Sequence, residues 1–166
     1  MLTGCSSAAD GTAADDGSVT ALPMPPGLQR ASVVRLVDGD TVVLRGQGDG
    51  PLPDAPTRVR LLQVDTPEVF GERECFGAEA SARAEQLLPV GGGVLVQADR
   101  RLLDRYDRAL LLLWDERGRS VQEALVREGF ATVLAVEPNR LALEPLRRVQ
   151  DEARAASRGL WAACRD

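Results

Sequence analysis

The chain contains no histidine. That absence excludes Ser-His-Asp triads, HExxH metal sites and imidazole general bases. Lysine is missing too, all 20 basic residues being arginine, so Schiff-base chemistry and a P-loop lysine are also excluded. Three cysteines cannot build a four-cysteine zinc site within one chain. Any metal must therefore be held by oxygen. Isoleucine is absent as well; beside abundant Ala, Arg, Leu and Gly this reflects GC-rich coding and says nothing about function. The longest apolar run, Ala109 to Trp114, is far short of the roughly 20 residues that a membrane-spanning helix requires.

What is present describes one folded domain. The length of 166 residues suits a single core, and 44% apolar with 27% charged residues is a globular profile. The net charge is −5, but the first 28 residues hold Asp10, Asp15 and Asp16 and no arginine, leaving the remainder close to neutral. Bulk charge thus gives no sign of polyanion binding, which would need a local arginine cluster.

Residues 1–30 are rich in Ser, Ala, Gly, Thr, Asp and Pro without hydrophobic periodicity, and read as a flexible tether. Within it, Leu2-Thr3-Gly4-Cys5 resembles a bacterial lipobox, whose cysteine would be lipidated. The basic and apolar regions of a signal peptide do not precede it. Either the start is assigned too late, or Cys5 is an ordinary tail residue. The folded domain is expected over residues 31–166. Ser32–Val37 and Thr41–Arg45 form a hairpin across Asp-Gly-Asp. Arg58–Val64 alternates as a strand, with Val59, Leu61 and Gln63 on one face. Phe76, Ala80, Ala84 and Leu87 mark a helix that Pro89 ends. Gly93–Ala98 and Arg108–Asp115 are two further strands. Ser120 and Glu123 make a capping box for a helix stopped by Gly129, and Leu146, Val149, Ala153 and Ala156 mark a last helix. The pattern predicts a mainly β fold with helices (α+β): a five-stranded OB-type Greek-key barrel with three flanking helices.

Acids gather where strands end. VDGDTV carries Asp38 and Asp40, and VDTPE carries Asp65, Thr66 and Glu68. Each alone is an ordinary turn, but together they offer hard oxygen donors of the kind calcium prefers. Arg60 lies on the strand leading into Asp65.

VVRLVDGDTVVL, VRLLQVDTPE, DRYDR and QEALVREGFA, in that order, resemble the staphylococcal nuclease (thermonuclease-like) family from about Ser32 to Trp161. The resemblance implies an OB barrel with three helices and a calcium-dependent phosphodiesterase acting on DNA and RNA, leaving a 5′-hydroxyl and a 3′-phosphate. It implies Asp40, Asp65 and the Thr66 carbonyl as calcium ligands, with Asp38 acting through water. It implies Glu68 as general base, Arg60 and Arg108 on the scissile phosphate, and Arg105 and Tyr106 on a neighbouring one. The chemistry is coherent. Guanidinium forks pair with phosphate oxygens at any working pH, and a carboxylate can take a proton from attacking water.

The chain departs from the family in three respects. The usual Tyr-Gly-Arg is Tyr106-Asp107-Arg108, the segment Thr132–Glu137 has no tyrosine for base stacking, and the domain lacks a basic excess. All three predict weaker, more salt-sensitive substrate binding. Arg100 and Arg101 could add to a phosphate track, or be plain surface charge. Cys75 precedes the first helix and Cys164 follows the last, so the fold could bring them together as a disulfide; the alternative is two reduced thiols in a cytosolic protein. A bridge, with Cys5 left for lipid, would favour an extracytoplasmic location, secreted or lipid-anchored at the cell surface. The expectation is a monomeric calcium-dependent nuclease. The rivals are a non-catalytic OB module binding nucleic acid or protein, which would have no use for Asp40, Asp65 and Glu68 together, and a phosphodiesterase of small nucleotides.

Overall fold

Asp38-Gly39-Asp40 closes a hairpin in which Val37 and Asp38 both donate their amides to the Thr41 carbonyl, at 2.8 and 3.2 Å. The computed structural model of the chain describes residues 20–164. The hairpin strands are β1 (Gln29–Leu36) and β2 (Thr41–Gln47), followed by β3 (Pro56–Leu61), the short β4 (Val64–Asp65) and helix α1 (Gly77–Leu87). Then come β5 (Gly93–Leu103), β6 (Ala109–Asp115), α2 (Val121–Arg127), β7 (Thr132–Val133), α3 (Leu143–Ala155) and the single turn α4 (Leu160–Ala163). Five strands close into a barrel in the order β1-β2-β3-β6-β5, as the alternation of apolar residues predicts. Val42, Leu44, Val59 and Leu61 point inward with Val94 and Val96, joining one core with the helices. The β3–β6 pairing is parallel, Val59 opposite Ala109 and Arg60 opposite Leu110. It sets Arg60 close to the start of β6, just after Arg108.

Several details differ from the sequence reading. The alternating strand does not run to Val64. It stops at Leu61, and Gln63 turns the chain at φ 64°. Gln63 is fully buried because its side chain donates to the Asn139 carbonyl at 2.9 Å and accepts the Ala142 amide at 2.9 Å. Long-range hydrogen bonding therefore overrides the period of two. The chain resumes in β4, which pairs with β7 in a second small sheet. Next, β5 continues past Ala98 to Leu103, and α4 adds a fourth, very short helix.

The folded part also begins ahead of Ala31. Leu22 is buried, and the Ala21 and Leu22 amides donate to the Glu123 carboxylate at 3.0 and 2.8 Å. Trp114 donates its indole N–H to the Leu22 carbonyl at 3.1 Å. The expected capping box is thus half formed: Ser120 Oγ accepts the Glu123 amide at 3.2 Å, but the Glu123 side chain serves the incoming strap and Arg127. Cys5 and most of the proposed tether lie outside the described residues.

Cys75 and Cys164 are joined by a disulfide with Cα atoms 5.8 Å apart. Nearby, the Phe76 and Phe130 rings stack at 5.3 Å between centroids. Among the described residues no helix is long and apolar enough to cross a membrane.

Candidate active site

The hairpin turn and the end of β4 come together at one guanidinium. Arg60 projects outward from β3, with Nε 3.1 Å from Asp40 Oδ1 and Nη2 donating to Asp65 Oδ1 at 2.8 Å. Its Nη1 donates to the carbonyls of Leu61 and Val64 at 2.8 and 2.6 Å. These backbone bonds hold Arg60 in a fixed pose across the β3–β4 turn. Asp40 is almost wholly buried and takes both the amide and the hydroxyl of Thr66 on Oδ2, at 2.9 and 3.1 Å. Two acids 25 positions apart in sequence thereby share one cation. Gly39 is needed for this approach, since a Cβ there would lie 2.6 Å from Thr66 Oγ1.

Burial dominates the electrostatics of Asp40 and pushes its pKa up to about 6. Arg60 and the Thr66 amide pull it down, and the neighbouring Asp38 and Asp65 push it further up. Asp38 turns back on its own loop, Oδ1 accepting the Asp40 amide at 3.0 Å.

A second cluster is built on the turn before β6. Asp104 accepts the Tyr106 and Arg108 amides on Oδ1, at 2.8 and 3.0 Å, and Arg108 Nε on Oδ2 at 2.8 Å. Burial raises the Asp104 pKa, but those hydrogen bonds and the Arg108 charge outweigh it and hold the carboxyl below its ordinary value. Tyr106 is exposed between two cations, with Arg105 Cζ 4.7 Å and Arg108 Cζ 5.5 Å from its ring centroid. Asp107 is exposed at φ 58°, in the left-handed conformation that glycine adopts freely. The turn carries it away from Arg108.

Thr41 joins the clusters. Its hydroxyl accepts Arg108 Nη1 at 3.4 Å and donates to Asp40 Oδ1 at 3.2 Å. Asp40, Arg60, Asp65, Thr66, Thr41, Asp104 and Arg108 therefore form one connected network. Glu68 is not part of it. It is exposed on the following loop, which is closed by bonds between Glu68 and Glu74, and it lines a separate cavity of about 320 Å³ with Arg73, Glu74 and Glu79. Sequence reasoning missed Thr41 and Asp104. Asp104 carries a local signal, since an aspartate whose side chain takes the amide two residues on marks a tight turn. Thr41 carries none, because its partner Arg108 is 67 positions away.

Among the described residues no three Asp, Glu or Cys side chains gather into a ready-made cage. The donors nonetheless fit a hard divalent cation. Two carboxylates meet at one positive group, one of them is buried and raised in pKa, and all the ligating atoms are oxygen.

A family profile described as staphylococcal nuclease homologue matches residues 58–163. The chain belongs to the staphylococcal nuclease family. Its relatives in that family include the SPbeta prophage-derived endonuclease YokF of Bacillus subtilis, 35% identical over 133 residues, which are 76% of this chain and 42% of that protein. Endonuclease YncB of the same organism is 35% identical over 142 residues, covering 81% of this chain and 62% of YncB. Thermonuclease of Staphylococcus hyicus is 28% identical over 137 residues, covering 80% and 76% respectively. The match thus spans less than two thirds of either Bacillus nuclease. The family assignment agrees with the barrel, and the matched region contains Arg60, Asp65 and Arg108.

Proposed function

We propose that the protein is a calcium-dependent nuclease that hydrolyses phosphodiester bonds of DNA and RNA. The observation that carries this reading is the meeting of Asp40 and Asp65 at Arg60, tied through Thr41 to Arg108. A module that only bound polyanions would use acids to position its arginines, but would have no use for Asp40, Asp65 and Glu68 together.

Asp40, Asp65 and the Thr66 carbonyl would hold calcium, with Asp38 reaching it through water. The bound ion would supply charge that polarises a phosphoryl oxygen. Arg108, fixed by Asp104 through Nε and touching Thr41 through Nη1, keeps its other terminal hydrogens for phosphate oxygens, and Arg60 offers its remaining Nη2 hydrogen. Arg105 and Tyr106 flank Arg108 and would contact a neighbouring phosphate. Glu68 would take the proton of the attacking water as its oxygen bonds to phosphorus and the P–O5′ bond breaks, the departing 5′-oxygen taking a proton from solvent. The products would be a 5′-hydroxyl and a 3′-phosphate.

Every group invoked comes from one chain, which favours a monomer. The Cys75–Cys164 bridge supports an oxidising, extracytoplasmic setting, with Cys5 the point of lipid attachment. Digestion of heat-denatured DNA with calcium, then with excess chelator, tests the enzymatic reading. Cleavage that stops on chelation supports it; no cleavage under either condition overturns it.

A further inference from the structure

Strands β1, β2 and β3 contain five arginines, Arg30, Arg35, Arg45, Arg58 and Arg60, and no aspartate or glutamate. In a chain of net charge −5 this is a marked segregation. The register places all five on the same side. Val42 and Leu44 face the core, so the odd positions of β2 face outward, and these pair with Arg60 (at Thr41), with both Arg35 and Arg58 (at Val43) and with Arg30 (at Gln47). Arg35 reaches this side only because β1 has a one-residue irregularity between Val33 and Arg35. Without it, Arg35 would share the inward face of Val33.

The five are unequally neutralised. Arg60 is held by Asp40 and Asp65, Arg45 reaches Asp54 at 3.5 Å, and Arg30 comes no nearer than 4.0 Å to Glu116. Among the described residues Arg35 and Arg58 have no ion pair or side-chain hydrogen bond. Val43, between them, is only 5% exposed yet stands apart from the core cluster. In the register it lies between Arg35 and Arg58, both of which are exposed.

Resting on the nuclease reading above, we infer that Arg58 and Arg35 form an accessory phosphate track, gripping the sugar–phosphate backbone of a single strand as it leaves the scissile position. Arg58 lies two residues before Arg60 on the same strand face, about 6.6 Å away, and Arg35 is two strands further, about 10 Å. The cations therefore lead away from the network on a bent path, first along β3 and then across β2 to β1, which a flexible single strand can follow. The three strands hold no aromatic residue, so the track grips phosphates and is indifferent to base identity. Such a track would compensate for the tyrosines missing from Thr132–Glu137 and would make the enzyme favour polymers over dinucleotides.

The double variant Arg35→Gln/Arg58→Gln tests this, with each single variant alongside. Binding of a fluorescent 20-nucleotide single strand is measured by anisotropy in calcium-free buffer across a salt series. Cleavage of the same oligomer and of a dinucleotide is measured with calcium. The salt slope should fall by about 1.4 in the double variant and about 0.7 in each single one. The oligomer KM should rise about tenfold at unchanged kcat, while the dinucleotide is cut as before. An unchanged slope, or an equal loss on both substrates, overturns the track. So does a double variant that loses co-sedimentation with anionic phosphatidylglycerol vesicles while still binding the oligomer normally. Should the wild type bind the oligomer with the expected slope yet cut neither substrate, the nuclease reading fails and the track stands.

Discussion

Asp104 takes the Nε of Arg108 at 2.8 Å while its other oxygen closes the turn that carries both residues. One carboxylate therefore sets the backbone and the side chain of Arg108 together, and leaves the terminal nitrogens of the guanidinium clear of its own oxygens.

Asp104→Ala should lower kcat about tenfold on any phosphodiester substrate, because Arg108 loses its aim but not its charge. A pH series supplies an independent readout. The Asp104 carboxyl sits below its unfolded value of 3.8, so its contribution to stability is complete above about pH 4 and is lost as pH falls through the folded value. Thermal melts of Asp104→Asn should lose less on acidification than the wild type. Parallel melting curves would refute this role.

Asp40 behaves oppositely. Its pKa, near 6, lies above the unfolded 3.8, so in this window the folded state holds a proton that the unfolded chain has released. Stability without metal should fall as pH rises from about 4 to 6 and then level off. Asp40→Asn should remove that slope. Calcium held there would bind the ionised form, so its stabilising effect should be larger at pH 7 than at pH 5. Equal thermal shifts at the two pH values would rule out Asp40 as a ligand.

Glu68→Gln should reduce turnover at least about 100-fold with the fold intact, if this residue handles the proton of water. Gly77→Ala approaches the same loop without touching a charge. Its Cβ would fall 2.6 Å from the Glu68 carbonyl oxygen, so the loop must shift and turnover should drop. Full activity in both variants would remove the loop from catalysis.

Reduction of the Cys75–Cys164 bridge, or Cys75→Ser/Cys164→Ser, should cost up to roughly 4–5 kcal/mol in the chain-entropy picture, since the bridge spans 89 positions. Denaturant melts with and without reductant measure it. Coincident curves would show that the bridge contributes little.

Much of the barrel was legible because local rules decide it. The hairpin at Asp38-Gly39-Asp40 and the Ser120 cap each depend on residues within four positions of one another. The grouping of Asp40 with Asp65 was suggested by acids at two strand ends beside Arg60 and sharpened by the family resemblance. Gln63 was misread because its partners, Asn139 and Ala142, are 76 and 79 positions away and impose a turn on an alternating run. The arginine face was hidden for a related reason. Which way Arg35 points depends on a one-residue slip in pairing that composition does not announce. Glu123 read as half of a cap, although its acceptors were wanted by a segment about a hundred positions upstream.

That last contact has a mechanical consequence. Leu22 is moored to Trp114, four residues and about 13 Å of strand beyond Leu110, the neighbour of Arg60. The strap at Ala21 and Leu22 thus lies at the rear of the barrel, and tension on it would be borne by the Glu123 mooring before reaching Asp40 and Asp65. A leash fastened there would leave the business end facing outward and free to meet a passing strand.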